Sequence, residues 1–308
     1  MKLKYALSVL LCLLLTSAGL AQNNNAGTSS ADFLKIGVGA KAAGFGEAFV
    51  AIADDATGAF WNAAGLAHLN QSQVTFMHNE WLSDVRYEYL SYAAPYQDKG
   101  TFAISMSYLS LGKFEGYDLS GNPTNDFSAY DWSGVLAYGH RVTPQLSLGA
   151  SVKYFQETIE GVKAGAFAGD LGALYSLSQV NLGLSVRNFG TKMKFIEEEY
   201  SLPLTVDMGV AFRGFSNLLL AVDLEIPKDN AMRLKQGLEY TYHESVFFRM
   251  GYGLKTSGND YQGASGLAVG AGFLLKDYRF DYAYSPNADL GDAHRVSFTI
   301  NFGPVRGI

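Results

Sequence analysis

The chain has 308 residues and a net charge of −6, because 29 acidic residues outnumber 23 basic ones. This balance argues against a nucleic-acid partner and against binding to anionic lipid headgroups. The chain contains 34 glycines, 20 phenylalanines and 19 tyrosines, which is unusual for a water-soluble domain and typical of a transmembrane β-barrel with aromatic girdles.

Residues 1–21 predict a secretory signal peptide. Lys2 and Lys4 precede an apolar run, which ends in small residues suited to cleavage. The single cysteine, Cys12, lies in that run and leaves with the signal, so we expect no disulfide in the exported chain. Beyond residue 21 there is no run of roughly 18 apolar residues, so the sequence predicts no transmembrane helix.

The next segment is rich in glycine and alanine and contains the pair Asp54–Asp55. Its glycines match neither common phosphate-binding pattern. Ala42 stands where GxGxxG requires its third glycine, and Phe45 stands where GxxxxGK[ST] requires its lysine. Two interpretations of the aspartates are open. They form an acid pair or a calcium ligand, or, more simply, they provide a helix N-cap and a first-turn carboxylate.

From about residue 73 onward, apolar and polar residues alternate with a period of two. Phe102, Ile104, Met106 and Tyr108, for example, share one face of a strand whose other face is small and polar. About fourteen such segments occur, and most have the length of roughly ten residues that a tilted strand needs to cross a bilayer. The predicted strands are approximately 74–79, 86–95, 101–110, 128–141, 145–156, 166–176, 179–188, 203–213, 217–226, 232–242, 246–255, 266–275, 278–286 and 293–302.

Short connections between these strands alternate with longer ones. Short periplasmic turns and long external loops are typical of outer-membrane barrels, and an even strand count fits a closed barrel. A secreted β-sandwich or propeller would bury the same apolar faces, but it explains neither the loop asymmetry nor the tyrosine-rich faces. The short connections are 96–100, 142–144, 176–179, 214–217, 243–245 and 276–277, and the longer ones are 111–126, 157–166, 189–202, 255–265 and 286–293.

The polar faces of the predicted strands carry charges of both signs, which point into the lumen if the apolar faces contact lipid. Six acidic and five basic residues nearly cancel, so they do not form a single-sign selectivity ring. Either these charges pair with each other or with a plug, or they line a hydrated interior without a selective role. The predicted lumenal charges are Lys153, Asp170, Asp207, Asp223, Glu225, Lys235, Glu239, Arg249, Arg279, Asp281 and Arg295.

No catalytic or metal-binding motif occurs in the sequence. The five histidines stand singly, without the spacing of metal ligands. The patterns GxSxG, HExxH and CxxC are absent. We therefore expect no enzymatic activity, no metal and no cofactor.

Residues 33–69, FLKIGVGAKAAGFGEAFVAIADDATGAFWNAAGLAHL, resemble the N-terminal signature of the FadL-like outer-membrane barrels and are nearest to its PorV/PorQ branch. That branch has WNPAGL at the end of the signature. Here Ala63 replaces the proline, which allows a more helical turn. A second departure is at the C-terminus, where GPVRGI follows Phe302 although barrels usually end at the aromatic residue.

The resemblance implies an all-β transmembrane barrel of about fourteen antiparallel strands with a small helical or irregular hatch in its lumen. The expected division is a signal peptide at 1–21, a hatch at 22–72 and the barrel at 73–308. Small residues would allow the hatch to pack closely inside the barrel. The expected hatch residues are Gly39, Gly44, Gly46, Asp54, Asp55, Trp61, Asn62 and Gly65.

Two functions follow from the resemblance. PorV-type relatives serve type IX secretion in Bacteroidetes-like bacteria, so the first is an outer-membrane barrel that binds secretion proteins or exported cargo through its external loops. The candidate loop residues are Phe114, Tyr117, Leu119, Met193 and Phe195.

FadL relatives pass hydrophobic molecules, so the alternative is a passive transporter of hydrophobic small molecules. Phe45, Phe49, Phe60 and Trp61 would then line a binding pocket, unless they simply pack the hatch against the wall. Both functions imply the outer membrane of a Gram-negative bacterium, contact with outer-membrane lipid, and no nucleic-acid partner. A hydrophobic ligand or detergent is an expected partner of the transporter.

Overall fold

A computed structural model describes residues 27–80, 85–97, 100–118, 120–255, 266–286 and 292–306. Fourteen strands form a closed antiparallel barrel, in which the first strand pairs with the last. Two further strands form a separate short hairpin. Within the described residues, no helix combines the length and the apolar character needed to cross a membrane.

Between residue 27, where the described chain begins, and the first strand lie two α-helices, Ala40–Gly44 and Gly58–Trp61, and two 3₁₀-helices, Asp32–Lys35 and Ala63–His68. The barrel strands are β1 (Ser72–Glu80), β2 (Arg86–Tyr96), β3 (Gly100–Phe114), β4 (Phe127–Arg141), β5 (Leu146–Ile159), β6 (Val162–Ser176), β7 (Val180–Gly190), β10 (Thr205–Phe215), β11 (Leu218–Pro227), β12 (Arg233–Tyr242), β13 (Val246–Lys255), β14 (Leu267–Leu275), β15 (Tyr278–Pro286) and β16 (Asp292–Phe302). The separate hairpin consists of β8 (Met193–Phe195) and β9 (Glu198–Tyr200).

The predicted barrel is confirmed, and its strands present apolar faces outward. On β3, the outward side chains from Phe102 to Tyr108 are between 38 and 58% exposed. The alternate residues Thr101, Ser105 and Ser107 are buried and face the interior. This is the arrangement of a transmembrane barrel, in which the outer face contacts lipid and the inner face contacts polar groups.

The loops differ from the prediction in three places. Residues 157–166 are mostly strand, because β5 continues to Ile159 and β6 begins at Val162. Charged residues hid the alternation there, and only Glu160 and Gly161, both with positive φ, form the turn. β3 extends to Phe114 through a bulge after Ser110, which shortens the predicted loop 111–126.

The third difference lies in the predicted loop 189–202, which contains the hairpin β8–β9. Strands of three residues are too short to show an alternating pattern. The signal peptide, Leu119, and most of the predicted loops 255–265 and 286–293 lie outside the described residues.

We name the two ends of the barrel by their connections. The turn end carries the short turns, such as 142–145, and the loop end carries the longer loops and the hairpin β8–β9. Residues 28–71, called the N-terminal segment below, run through the lumen from one end to the other. At the loop end, the Ser30 N–H donates to the Ser201 carbonyl (3.1 Å). At the turn end, the His68 ring contacts Arg141 (3.2 Å) and Ser147 (3.1 Å).

Candidate functional site

The lumen holds a first cluster of ion pairs between β7, β10, β11 and β12. Arg187 Nε lies 2.8 Å from an Asp207 carboxylate oxygen, and Lys235 Nζ lies 2.5 Å from Glu225. Lys235 also lies 3.6 Å from Glu47, which belongs to the N-terminal segment. The wall and the segment therefore share one buried network of charges.

Arg187 was absent from the predicted lumenal set, although its spacing could have identified it. It follows the inward-facing Ser185 by two residues and therefore lies on the same face of β7. Its guanidinium lies 5.3 Å from the ring centre of Phe60 and 5.6 Å from that of Trp61. Cations over aromatic faces are attracted to them, so Arg187 holds both its acidic partner and the segment's aromatic pair.

A second cluster joins β12, β13 and β15. Arg249 binds Glu239 and Asp281 at 2.7 Å each, and Arg279 binds Asp281 at 2.8 Å. Gly44 of the N-terminal segment lies directly on this cluster, and a Cβ there would lie 3.2 Å from Arg249 Cβ. The Arg249 side chain is thus fully buried, with the backbone of the N-terminal segment against it.

The remaining predicted lumenal charges also have partners. Lys153 binds Asp170 at 2.9 Å, and Arg295 binds Glu47 at 3.1 Å. Asp223 accepts a hydrogen bond from the Val50 N–H of the N-terminal segment (2.8 Å). Of the two interpretations from the sequence, the geometry therefore favours pairing with each other and with a plug. Removing one partner of a buried pair costs about 3–5 kcal/mol, so these contacts fix the segment in place.

The two adjacent aspartates have different partners. Asp54 binds Lys41 of the segment, and Arg213 of β10 at 3.1 Å. Burial acts to raise the pKa of Asp54, but the attraction of Lys41 and Arg213 outweighs it and holds the pKa well below its usual range. Burial, only partly offset by Lys41, raises the pKa of Asp55 above its ordinary value.

Asp55 does not take the N-cap position that the sequence suggested. It accepts hydrogen bonds from the Thr57 N–H (2.9 Å) and the Thr57 hydroxyl (2.5 Å), which is an Asx turn. Thr57 itself is the N-cap of Gly58–Trp61 and makes no side-chain cap bond. No group of three or more metal-ligating side chains occurs among the residues that the structure describes.

The WNAAGL stretch connects distant parts of the segment and the wall. Trp61 donates to the Val38 carbonyl (2.9 Å). Asn62 caps the 3₁₀-helix by accepting from the Ala64 N–H (3.1 Å), and it donates to the carbonyl of Ala173 on β6 (3.1 Å). A Cβ on Gly65 would lie 2.7 Å from Ala53 Cβ, so only glycine allows this close approach. Gly39 is the N-cap of the helix Ala40–Gly44 and has a φ of 86°.

Four aromatic residues of the segment, Phe45, Phe49, Phe60 and Trp61, pack on one another. Phe49 lies 6.2 Å from Trp61, and Phe60 lies 5.0 Å from Trp61, between ring centres. Phe45, Phe49 and Trp61 are fully buried. A cavity of about 740 Å³ lies elsewhere, at the loop end, and none of these four aromatics lines it.

The predicted partner-binding residues at the loop end are unequally accessible. Tyr117 is 59% exposed, and Phe114 is exposed and stacks on Phe127 with ring centres 5.3 Å apart. Phe195 is half-buried. Met193, the first residue of β8, is buried and offers no surface to a partner. Ile196 at the hairpin tip is 73% exposed and was not predicted.

Comparison with known families identifies the chain. The model of the type IX secretion system protein PorV matches residues 19–228, which include the N-terminal segment and the strands β1–β11. The chain belongs to the PorV family. Together with the barrel, PorV membership locates the protein in the outer membrane and associates it with type IX secretion. No curated protein sequence matches the chain.

Solved structures support the barrel of this PorV-family chain. It resembles the Pseudomonas putida toluene transporter TodX with a TM-score of 0.66 and 14% identity, covering 86% of this chain and 97% of TodX. The monoaromatic hydrocarbon channel CymD gives a TM-score of 0.65 and 13% identity, covering 87% of this chain and 98% of CymD. A Pseudomonas aeruginosa FadL homologue gives a TM-score of 0.56 and 12% identity, covering 92% of this chain and 99% of the homologue. At such identities the likeness concerns the fold alone.

Proposed function

We propose that this PorV-family barrel acts in type IX secretion as a closed docking protein. It binds secretion components or exported cargo at its loop end, which faces the outside of a Bacteroidetes-like cell. Its N-terminal segment fills the lumen and lets no solute pass. The PorV match over residues 19–228 is the observation that carries this proposal. Two lumenal ion pairs of Glu47 and the hydrogen bond from the Val50 N–H to Asp223 support the closed state, because they join the N-terminal segment to the wall on several sides.

The docking surface is formed by apolar side chains that project from the loop end. Tyr117 and Ile196 are among the most exposed large hydrophobic residues, and each lies beyond the lipid-facing part of the barrel. Exposed apolar groups rimmed by polar residues mark interaction sites. The acidic run Glu197–Glu199 directly follows Ile196, so the partner surface is expected to be apolar with basic residues beside it.

The test is affinity purification of the tagged protein from its native outer membrane. Secretion components or cargo should co-purify with the wild type and be lost from the double variant Tyr117→Ser/Ile196→Ser. Val142→Ser provides a matched control, because Val142 is 50% exposed but lies at the turn end. Recovery of lipid without any secretion protein from the wild type would refute the proposal.

The alternative function, passive transport of hydrophobic molecules, requires a path past the N-terminal segment. The packed aromatic residues and the ion pairs occupy the lumen where such a path would run. Uptake of toluene into proteoliposomes therefore distinguishes the two functions. We expect no uptake above that of protein-free liposomes, and uptake that saturates with toluene concentration would favour the transporter.

A further inference from the structure

The cavity at the loop end is large enough for a small organic ligand. Its volume is about 740 Å³, and ligand pockets typically have roughly 300–1,000 Å³. One wall is formed by Phe33 of the N-terminal segment and by inward residues of β3, β4 and β5, including Leu109, Asp131 and Glu157. The opposite wall contains basic residues of β12 and β16.

The basic side chains on the cavity wall are occupied by carboxylates. Lys35 binds Asp229 at 2.7 Å and Asp32 at 2.9 Å. Lys235 and Arg295 are paired in the lumenal network described above. These cations are therefore not available to neutralise the acidic wall.

The acidic wall itself has no such compensation. Asp131 and Glu157 lie directly opposite each other in the register of β4 and β5. Asp131 is only 7% exposed and lines the cavity; its carboxylate accepts a backbone hydrogen bond from Thr158, and in the described part of the chain no cation and no side-chain donor contacts it. Glu157 accepts a backbone hydrogen bond from Ala31 and likewise forms no ion pair there. Like charges directly opposite each other repel, and a buried carboxylate without a cation beside it is costly.

We propose that this cavity binds a primary ammonium group carried on an apolar chain. The ammonium lies between Asp131 and Glu157, where its three N–H donors reach both carboxylates. The apolar chain lies against Phe33 and Leu109. A Ca²⁺ or Mg²⁺ ion fits less well, since it needs about six oxygen ligands and gains nothing from the apolar wall. This site is independent of the proposed role in secretion.

The test uses the full protein purified in a non-ionic detergent and isothermal titration calorimetry with hexylammonium chloride. Sodium hexanoate and 1-hexanol present the same chain with a negative charge and with none. Hexylammonium should bind at least about tenfold more tightly than either, as expected for charge-assisted hydrogen bonds. Equal affinity for the three compounds, or no binding of hexylammonium, would overturn the proposal.

The double variant Asp131→Asn/Glu157→Gln keeps the shape of the wall and removes its charge. Its affinity for hexylammonium should fall at least about tenfold, with heat-modifiable gel mobility retained as proof of folding. Glu244→Gln, at an exposed position of the turn 243–245, is the matched control and should keep the affinity of the wild type. Unchanged affinity in the folded double variant would also overturn the assignment.

An ammonium group of this kind belongs to a free amine or to a lysine side chain of an exported polypeptide. Acetyl-Leu-Lys-Leu-amide and the same peptide with norleucine instead of lysine distinguish these sources. If hexylammonium and the lysine peptide bind and the norleucine peptide does not, the site is assigned to a polypeptide. Binding of hexylammonium without either peptide assigns it to small amines.

Discussion

Glycine at position 46 allows the N-terminal segment to touch the backbone of the barrel wall. Gly46 has a φ of +62°, and a Cβ there would lie 2.6 Å from the Tyr252 nitrogen and 2.9 Å from the Gly251 carbonyl carbon. Backbone atoms of a strand cannot move aside as a flexible side chain can. Both the conformation and the space at this position therefore favour glycine.

Replacing this glycine should weaken the barrel as a whole. Gly46→Ala is expected to lower the free energy of unfolding by about 2 kcal/mol or more, through the left-handed φ and the overpacking. Urea unfolding in phospholipid vesicles measures the change. Gly253→Ala on β13, the strand that Gly46 touches, is the matched control, because no atom lies within 4 Å of its added Cβ. Equal stability of the two variants would contradict the close approach.

The partners of the lumenal charges were harder to predict than their positions. Alternation places Lys235 and Glu225 on the inward face, but it does not say which acid meets which base. The register opposes Lys235 to Asp223 and Glu225 to Arg233, yet Lys235 binds Glu225 diagonally. Such diagonal contacts depend on register and on side-chain reach, and neither is visible in one sequence.

At the level of elements, the sequence predicted the barrel strands well because each spans many residues of strict alternation. It could not predict the hairpin β8–β9 or the path of the N-terminal segment. That path is fixed by single contacts between distant residues, such as the bond from the Asn62 amide to the Ala173 carbonyl. The cavity was missed for the same reason, since Asp131 and Glu157 become neighbours only through the pairing of β4 with β5.

The C-terminal tail holds the turn end together. After β16, the Arg306 guanidinium donates to the carbonyls of Gln97 (2.9 Å), Gly100 (3.1 Å) and Ala67 (3.0 Å). The Arg306 N–H also donates to the Asn70 carbonyl (2.7 Å). Arg306, which follows the last barrel strand, thus ties the 3₁₀-helix of the segment to the β2–β3 turn.

Arg306→Ala should loosen the turn end without opening the barrel. Loss of these charge-assisted bonds is expected to reduce local stability by about 1–2 kcal/mol. Hydrogen exchange in the peptide covering residues 63–71 should then be roughly tenfold faster, while that of the barrel strands stays unchanged. Arg306→Lys keeps the charge but not the planar fork, so its exchange should lie in between. Exchange equal to that of the wild type would show that the tail is not a tether.

At the scale of the whole molecule, the N-terminal segment and the wall form one unit joined by charge. Asp54, bound to Arg213, and Glu47, bound to Arg295, connect the segment to opposite parts of the barrel. Because both acids lie in the segment and most of their cations lie in the wall, the closure of the lumen depends on their ionisation.

Acid should therefore weaken the closed state. Burial acts to raise the pKa of Glu47, but Lys235 and Arg295 outweigh it and hold this pKa below its ordinary value. The pKa of Asp54 is lowered in the same way, by Lys41 and Arg213. A carboxylate with a lowered pKa stabilises the folded state above its ordinary pKa of about 4. That stability is lost as the pH falls through the lowered pKa. Asp55, whose pKa is raised, opposes part of this loss.

The temperature at which the folded band disappears in heat-modifiable electrophoresis should fall as the pH is lowered from 7 to below about 4. Glu47→Gln/Asp54→Asn should be less stable than the wild type at pH 7, by about 2 kcal/mol or more, because cations of the wall lose their partners. Its transition should depend less on pH, since the two groups that titrate are gone. Glu199→Gln should follow the wild-type curve, and a double variant with the full pH dependence of the wild type would show that other carboxylates control the closure.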